Sequence, residues 1–172
     1  MACILTSGYT YLGCRGGAGG IKRVLITEFE NLTGGTFTAS AGVVTTFTLG
    51  TGVYREYLLD KEMGLFSSAG VYTPASGTIS YEPTVEFTIK KLTAAMIQEI
   101  HLVAQNVLSL IVEDVNGDYW LFGYDRGMDL LTWSTDSGQA ITDMNGHKLS
   151  FKGKEIAPIY KVAANQIAGL LV

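Results

Sequence analysis

Charge is scarce in this sequence. Asp, Glu, Lys and Arg make up 16% of the 172 residues, against 47% hydrophobic residues and a mean hydropathy of +0.24. No run of eighteen or more apolar residues exists, so a membrane-spanning helix does not account for the imbalance. A chain of this length forms one domain, residues 1–172, with an ordinary core. Its uncharged remainder must leave neutral and apolar surface outside, and burial of that surface between copies of the chain is the expectation. The net charge of −4 contains no block of like charges, which does not suggest a basic groove for nucleic acid.

Cysteine and histidine are equally sparse. Cys3 and Cys14 lie far in sequence from His101 and His147, so a zinc site is not expected. The two cysteines are read as free thiols, with a disulfide between them as the alternative. Leu12-Gly13-Cys14 has the look of a lipoprotein processing site, but the segment before it lacks a basic start and an unbroken apolar stretch, and it reads instead as an N-terminal arm over residues 1–20. The Gly16–Gly20 run precedes a strand and does not join a strand to a helix, so it is a hinge and no dinucleotide loop. Asp114-Val115-Asn116-Gly117-Asp118 places its glycine fourth, where a calcium loop needs it sixth, and reads as a turn. No Walker loop, nucleophile elbow, His-Glu-x-x-His or Cys-x-x-Cys occurs. Glu82 and Glu86, four apart on one strand, would stand about 13 Å from one another, beyond the glycosidase range. The expectation is therefore of no enzyme, no cofactor and no metal.

What is present is alternation. In Thr78–Lys90, TISYEPTVEFTIK, the odd positions Ile79, Tyr81, Pro83, Val85, Phe87 and Ile89 are apolar or proline. The even positions Thr78, Ser80, Glu82, Thr84, Glu86, Thr88 and Lys90 are polar. This is the period of a strand with one buried and one wet face, about 43 Å long if Pro83 does not break it. Ile21–Phe29 reads as a central strand and residues 31–42 as a loop or short edge. Val43–Leu49 and Val53–Asp60 form an expected hairpin across Gly50-Thr51-Gly52. Residues 61–77 mix Gly, Ser and Pro with Leu65, Phe66, Val71 and Tyr72, as an extended loop or arm would that docks on a neighbour or folds on its own domain.

One helix is expected, Ala94–Gln105 within residues 93–106, with Thr93 as N-cap and Leu92–Ile97 as a staple. Its apolar stripe is Met96, Ile97, Ile100, Val103 and Ala104, with Leu102 off the stripe and His101 on the polar side. Asn116-Gly117 joins Val107–Val115 to Asp118–Tyr124. Met128–Ser134, Gln139–Asp143, His147–Lys152 and Glu155–Val162 follow as extended pieces. The apolar tail 163–172, carrying Ile167, Leu170 and Leu171, is expected on a neighbouring subunit or on its own sheet. The fold class is mainly β, a β-sandwich or barrel-like domain with one flanking α-helix.

The order of these elements, with the phrases VEDVNGDYWLFGYDRGMDL, DSGQAITDMNGHKLSFKGKE and the following Ala-Pro, resembles the tail tube proteins of tailed bacteriophages. The likeness covers most of Ile21–Val162. It extends to the small virion proteins of phages of Bacteroidetes-type hosts, which open with a similar Met-Ala-Cys start and glycine-rich turn. The resemblance implies a structural virion protein that forms hexameric rings, stacked into a tube for genome delivery. Its partners would be copies of itself and other tail proteins, with DNA only passing through. Its location would be the virion tail, and the host cytoplasm during assembly. On this reading the polar face of Thr78–Lys90 lines the lumen. Leu65, Phe66, Val71, Tyr72, Leu102, Ile167, Leu170 and Leu171 would lie between subunits. A tail terminator or head-tail connector is the near alternative. A carbohydrate-binding β-sandwich with Tyr119, Trp120 and Trp133 as a stacking platform is the distant one.

Overall fold

The computed structural model describes residues 17–171. Residues 1–16, and with them Cys3, Cys14 and most of the expected arm, lie outside the described residues. The described chain is mainly β, with 49% strand and 13% helix. Eleven strands join in one hydrogen-bonded sheet, with one helix longer than a single turn or so.

The sheet folds over itself into two layers. The first is built on β1 (Ile21–Glu28) and β7 (Leu108–Asp114), which pair antiparallel from Ile21↔Asp114 to Glu28↔Leu108. Both are apolar on both faces because both faces are covered. Outside them run β4 (Arg55–Leu58) on β1, and β8 (Tyr119–Phe122), β11 (Tyr160–Val162), β3 (Val43–Phe47) and β2 (Phe37–Ser40) on β7. The second layer is β9 (Met128–Asp136), β10 (Gly146–Gly153), β6 (Thr78–Lys90) and β5 (Gly64–Thr73). A single pairing, Leu108↔Met128, forms the corner between the layers. At the opposite edge Ile21 lies against Gly64, so the first layer's strands cross the second from its β9 side to its β5 side.

Between the layers sits one core. Val24, Ile26, Leu110, Val112 and Phe122 from the first layer meet Val85, Phe87, Leu149 and Phe151 from the second. Each such side chain contributes about 1.5–3 kcal/mol by leaving water. The helix α1 (Ala94–Gln105) closes this core with Ile100, and Met96 and Val103 pack beside it. Thr93 caps it, its Oγ1 accepting from the Met96 N–H at 3.2 Å. The inward line is thus Met96–Ile100–Val103, and Ile97, expected in the stripe, is 52% exposed. His101 is exposed, as its position on the polar side requires.

A second core covers the far side of the first layer. Leu25, Ile111 and Leu121 meet Val44, Phe47, Tyr54 and Val162, together with Ile167 and Leu170 of the tail. The tail turns through the short helix α2 (Ala164–Ile167) and is tied by the Tyr54 N–H to the Leu170 carbonyl at 3.0 Å. Ile167 and Leu170 are each 3% exposed, and Leu171 packs beside them. The intersubunit role expected of these three is therefore corrected: the tail fills its own chain's core.

Three expected connections also differ. β3 does not pair with β4; it turns back on β2 through Ala41-Gly42, both at positive φ as a type I′ hairpin requires. Gly50 instead permits a close crossing, for a Cβ there would lie 1.9 Å from the Thr33 carbonyl oxygen. Residues 139–143 form no strand, because the Asp143 carboxylate accepts from the Gln139 and Ala140 N–H groups and closes a loop. Of Glu155–Val162 only the last three residues are a strand, parallel to β3.

Candidate functional site

The alternating strand is unbroken over its thirteen residues. Val85 and Phe87 are buried, and Phe87 stacks on Phe151 at 5.6 Å. Pro83 costs little here because of where it falls. Odd residues of β6 turn their backbone groups toward β10, as the reciprocal Tyr81–Glu155 bonds at 2.8 Å show. The β10 ladder ends at Lys152↔Thr84, so the N–H that proline lacks would have faced a gap in the ladder. Beyond Pro83 the strand has only β5 for a regular partner, and the pair projects as a two-stranded ribbon closed by residues 74–77.

The even positions Thr78, Ser80, Glu82, Thr84, Glu86, Thr88 and Lys90 all lie on the outer face of the second layer. Register carries that face onto Lys148, Ser150 and Lys152 of β10, and onto Asp129, Thr132, Ser134 and Asp136 of β9. On the other side it reaches Leu65, Ser67, Ala69 and Val71 of β5. A trough of about 490 Å³ runs across it, lined by Leu65, Glu86, Thr88, Thr132, Lys148 and Ser150 among others. The lysines of β10 were not weighed in the sequence, although HKLSFKGK alternates as cleanly as β6 does.

Three lysines of this face are matched by carboxylates, two of them across strands, while the exposed Lys154 opposite Glu82 makes no ion pair among the described residues. Lys152 Nζ is 3.0 Å from Glu82 Oε2, Lys148 Nζ is 3.5 Å from Asp136 Oδ2, and Lys90 Nζ is 3.0 Å from Asp60 Oδ2. Ser150 donates to Glu86 at 3.1 Å. The hydrogen bond and charge of Lys152 hold the Glu82 carboxyl below its ordinary range.

Among the described residues, β5 pairs regularly only with β6, and β9 with β10 apart from the corner at Met128. This layer therefore has two long edges, of ten and nine residues. Three antiparallel pairings separate them, so β5 and β9 run in opposite directions.

The residues expected between subunits divide. Leu65, Val71, Tyr72 and Leu102 are exposed at 54%, 41%, 61% and 46%. Phe66 is corrected, for it points into the chain's own core, 5.3 Å from the Phe122 ring and 6.2 Å from Trp120. Ile79 replaces it on the ribbon: it lies opposite Tyr72 and is 57% exposed. The aromatic platform is not assembled. Tyr119 and Trp120 are consecutive on β8 and point to opposite faces, Tyr119 beneath Arg23 and Trp120 into the first core, while Trp133 stands on β9.

His147 is fully buried, with Nδ1 3.0 Å from Thr135 Oγ1 and no partner for Nε2 among the described residues. No cluster of three or more His, Cys, Asp or Glu side chains with metal-binding geometry occurs among those residues. No family model, curated protein or solved structure matches the chain.

Proposed function

We propose that this chain is the structural subunit of a phage tail tube, which joins side by side into rings and stacks in rings around a channel for genome delivery. The observation that carries the reading is the second layer, a polar-faced sheet with two open edges of opposite direction. A copy rotated about an axis near the strand direction brings its β9 antiparallel to β5 of its neighbour. The same contact repeats until the ring closes. Closure removes both edges, which as free strands invite uncontrolled pairing. Six such layers would give about 24 strands, more than the barrels of about 16–18 strands that already hold a water-filled channel.

The wall of that channel is the face of Thr78–Lys90 and its neighbours on β10 and β9. The β5–β6 ribbon, with Val71, Tyr72 and Ile79 exposed beyond the end of the domain, suits contact with the next ring. Other tail proteins would meet the ends of the tube, and the role is mechanical rather than catalytic.

Electron microscopy of the purified full chain at high concentration tests this. Rings and tubes are expected; a strictly monomeric particle under all conditions would count against the reading, and rings that never stack would favour a terminator or connector. Ser68→Pro adds a specific arm. The Thr88 N–H to Met63 carbonyl bond fixes the β5 register, so Ser68 turns its N–H outward. The variant should remain a folded monomer and lose rings.

A further inference from the structure

We propose that Glu82, Asp129 and Asp136 are charge masks over a cationic row on β10, and that these masks keep the face from holding a polyanion such as duplex DNA. The inference rests on reading this face as a channel wall. Lys148 and Lys152 leave β10 on the same side, and the exposed Lys154, opposite Glu82 in the same register, extends the row to a span of about 20 Å, over which a duplex presents several phosphates. Unpaired, such a row is what a phosphate-binding surface is made of. Here it is flanked on both sides by acid. Lys152 has Glu82 at 3.0 Å on β6 and Asp129 directly opposite it on β9, while Lys148 has Asp136 at 3.5 Å. Glu86, held by Ser150 and without an ion pair among the described residues, adds a fourth carboxylate to set against the three lysines.

These pairs are 31–60% exposed at their side chains, so they add little to folding stability. Their effect is on the field. A matched pair about 3 Å across is nearly neutral to a phosphate a Debye length away, whereas a lone ammonium is not. The face is therefore inert through cancellation and not through a lack of cations.

The test is titration of a short fluorescent DNA duplex with the full chain at low salt, followed by anisotropy. Wild type should not bind. Glu82→Gln/Asp129→Asn/Asp136→Asn, near-isosteric and confined to the surface, should bind at least about tenfold more tightly, with a log–log salt slope steeper by roughly 2. Adding Lys148→Gln, Lys152→Gln and Lys154→Gln should abolish the gain. The single variant Glu82→Gln should move in the same direction, which guards against misfolding of the triple variant. Equal binding by wild type and both acid-neutralised variants would overturn the inference, as would a gain that survives loss of the three lysines. The face is open on the lone subunit, so the titration decides the masks even if no ring ever forms.

Discussion

Glu155 holds the backbone of Asp125. Its Oε2 accepts the Asp125 N–H at 2.9 Å, and its Oε1 accepts the Arg126 N–H at 3.3 Å, from a side chain in a residue only 6% exposed. The backbone of the same residue bridges Tyr81, so Glu155 ties the loop after β8 to the point where β6 leaves the domain.

Burial raises the Glu155 carboxyl above its ordinary range, and the two N–H bonds pull it back only in part. A raised acid is held more tightly protonated in the folded chain than in the unfolded one. Its contribution is complete below the ordinary carboxylate value and is lost as pH rises through the folded value. Urea midpoints of wild type and Glu155→Gln, compared from acid to neutral pH, should shift against wild type as pH rises. Glu155→Ala should cost about 1–2 kcal/mol, because two partly buried N–H groups lose their charged acceptor. A pH-independent gap between wild type and Glu155→Gln would refute the assignment.

The second prediction concerns Glu113, whose side chain is 5% exposed and bonded to both Lys22 and Arg23. Burial pushes this carboxyl up, yet the hydrogen bonds from Lys22 and Arg23 outweigh it and leave it below its ordinary range. Arg23 also reaches Glu56 at 2.5 Å and Tyr119 at 2.8 Å. Arg23→Met should destabilise the fold by about 2 kcal/mol, since Glu113 keeps only the more exposed Lys22, and Arg23→Met/Glu113→Leu should recover part of it because the underpaired buried charge is then gone. The stability that depressed Glu113 supplies is present above the ordinary carboxylate value and lost as pH falls through the folded one. The acid limb of the wild-type curve should therefore flatten in Arg23→Met.

Two residues on one face of β6 should respond in opposite ways. Phe87→Ala empties a site 2% exposed and should cost about 3–5 kcal/mol in chemical denaturation. Ile79→Ser, on the projecting ribbon, should leave subunit stability within about 0.5 kcal/mol. On the proposed function it should still raise the concentration needed for stacking, as sedimentation would show. A large loss of subunit stability in Ile79→Ser would place the ribbon on its own domain.

β6 was readable from sequence because it is a half-buried antiparallel strand, the one case in which period 2 appears undiluted. The helix was readable through Thr93 and its inward line, and the β7–β8 hairpin through Asn116-Gly117. β3–β4 misled because Gly50-Thr51-Gly52 looks like a hairpin turn, while Ala41, an unusual residue for positive φ, hid the real one. The tail stayed open between a neighbouring subunit and its own sheet because an apolar segment without caps carries no sign of which surface covers it. The cross-strand charge pattern was out of reach, since Lys152 and Glu82 meet only once register is known.

Pairing of β1 with β7 joins Glu28 to Leu108, and pairing of β11 with β3 joins Lys161 to Val43. The first layer thus waits for most of the chain to be synthesised, and loop closure on that scale makes folding slow. The β5–β6 ribbon needs only neighbours in sequence. The surface suited to self-pairing can therefore exist before the body that supports it, which makes premature association during synthesis the characteristic hazard of this architecture.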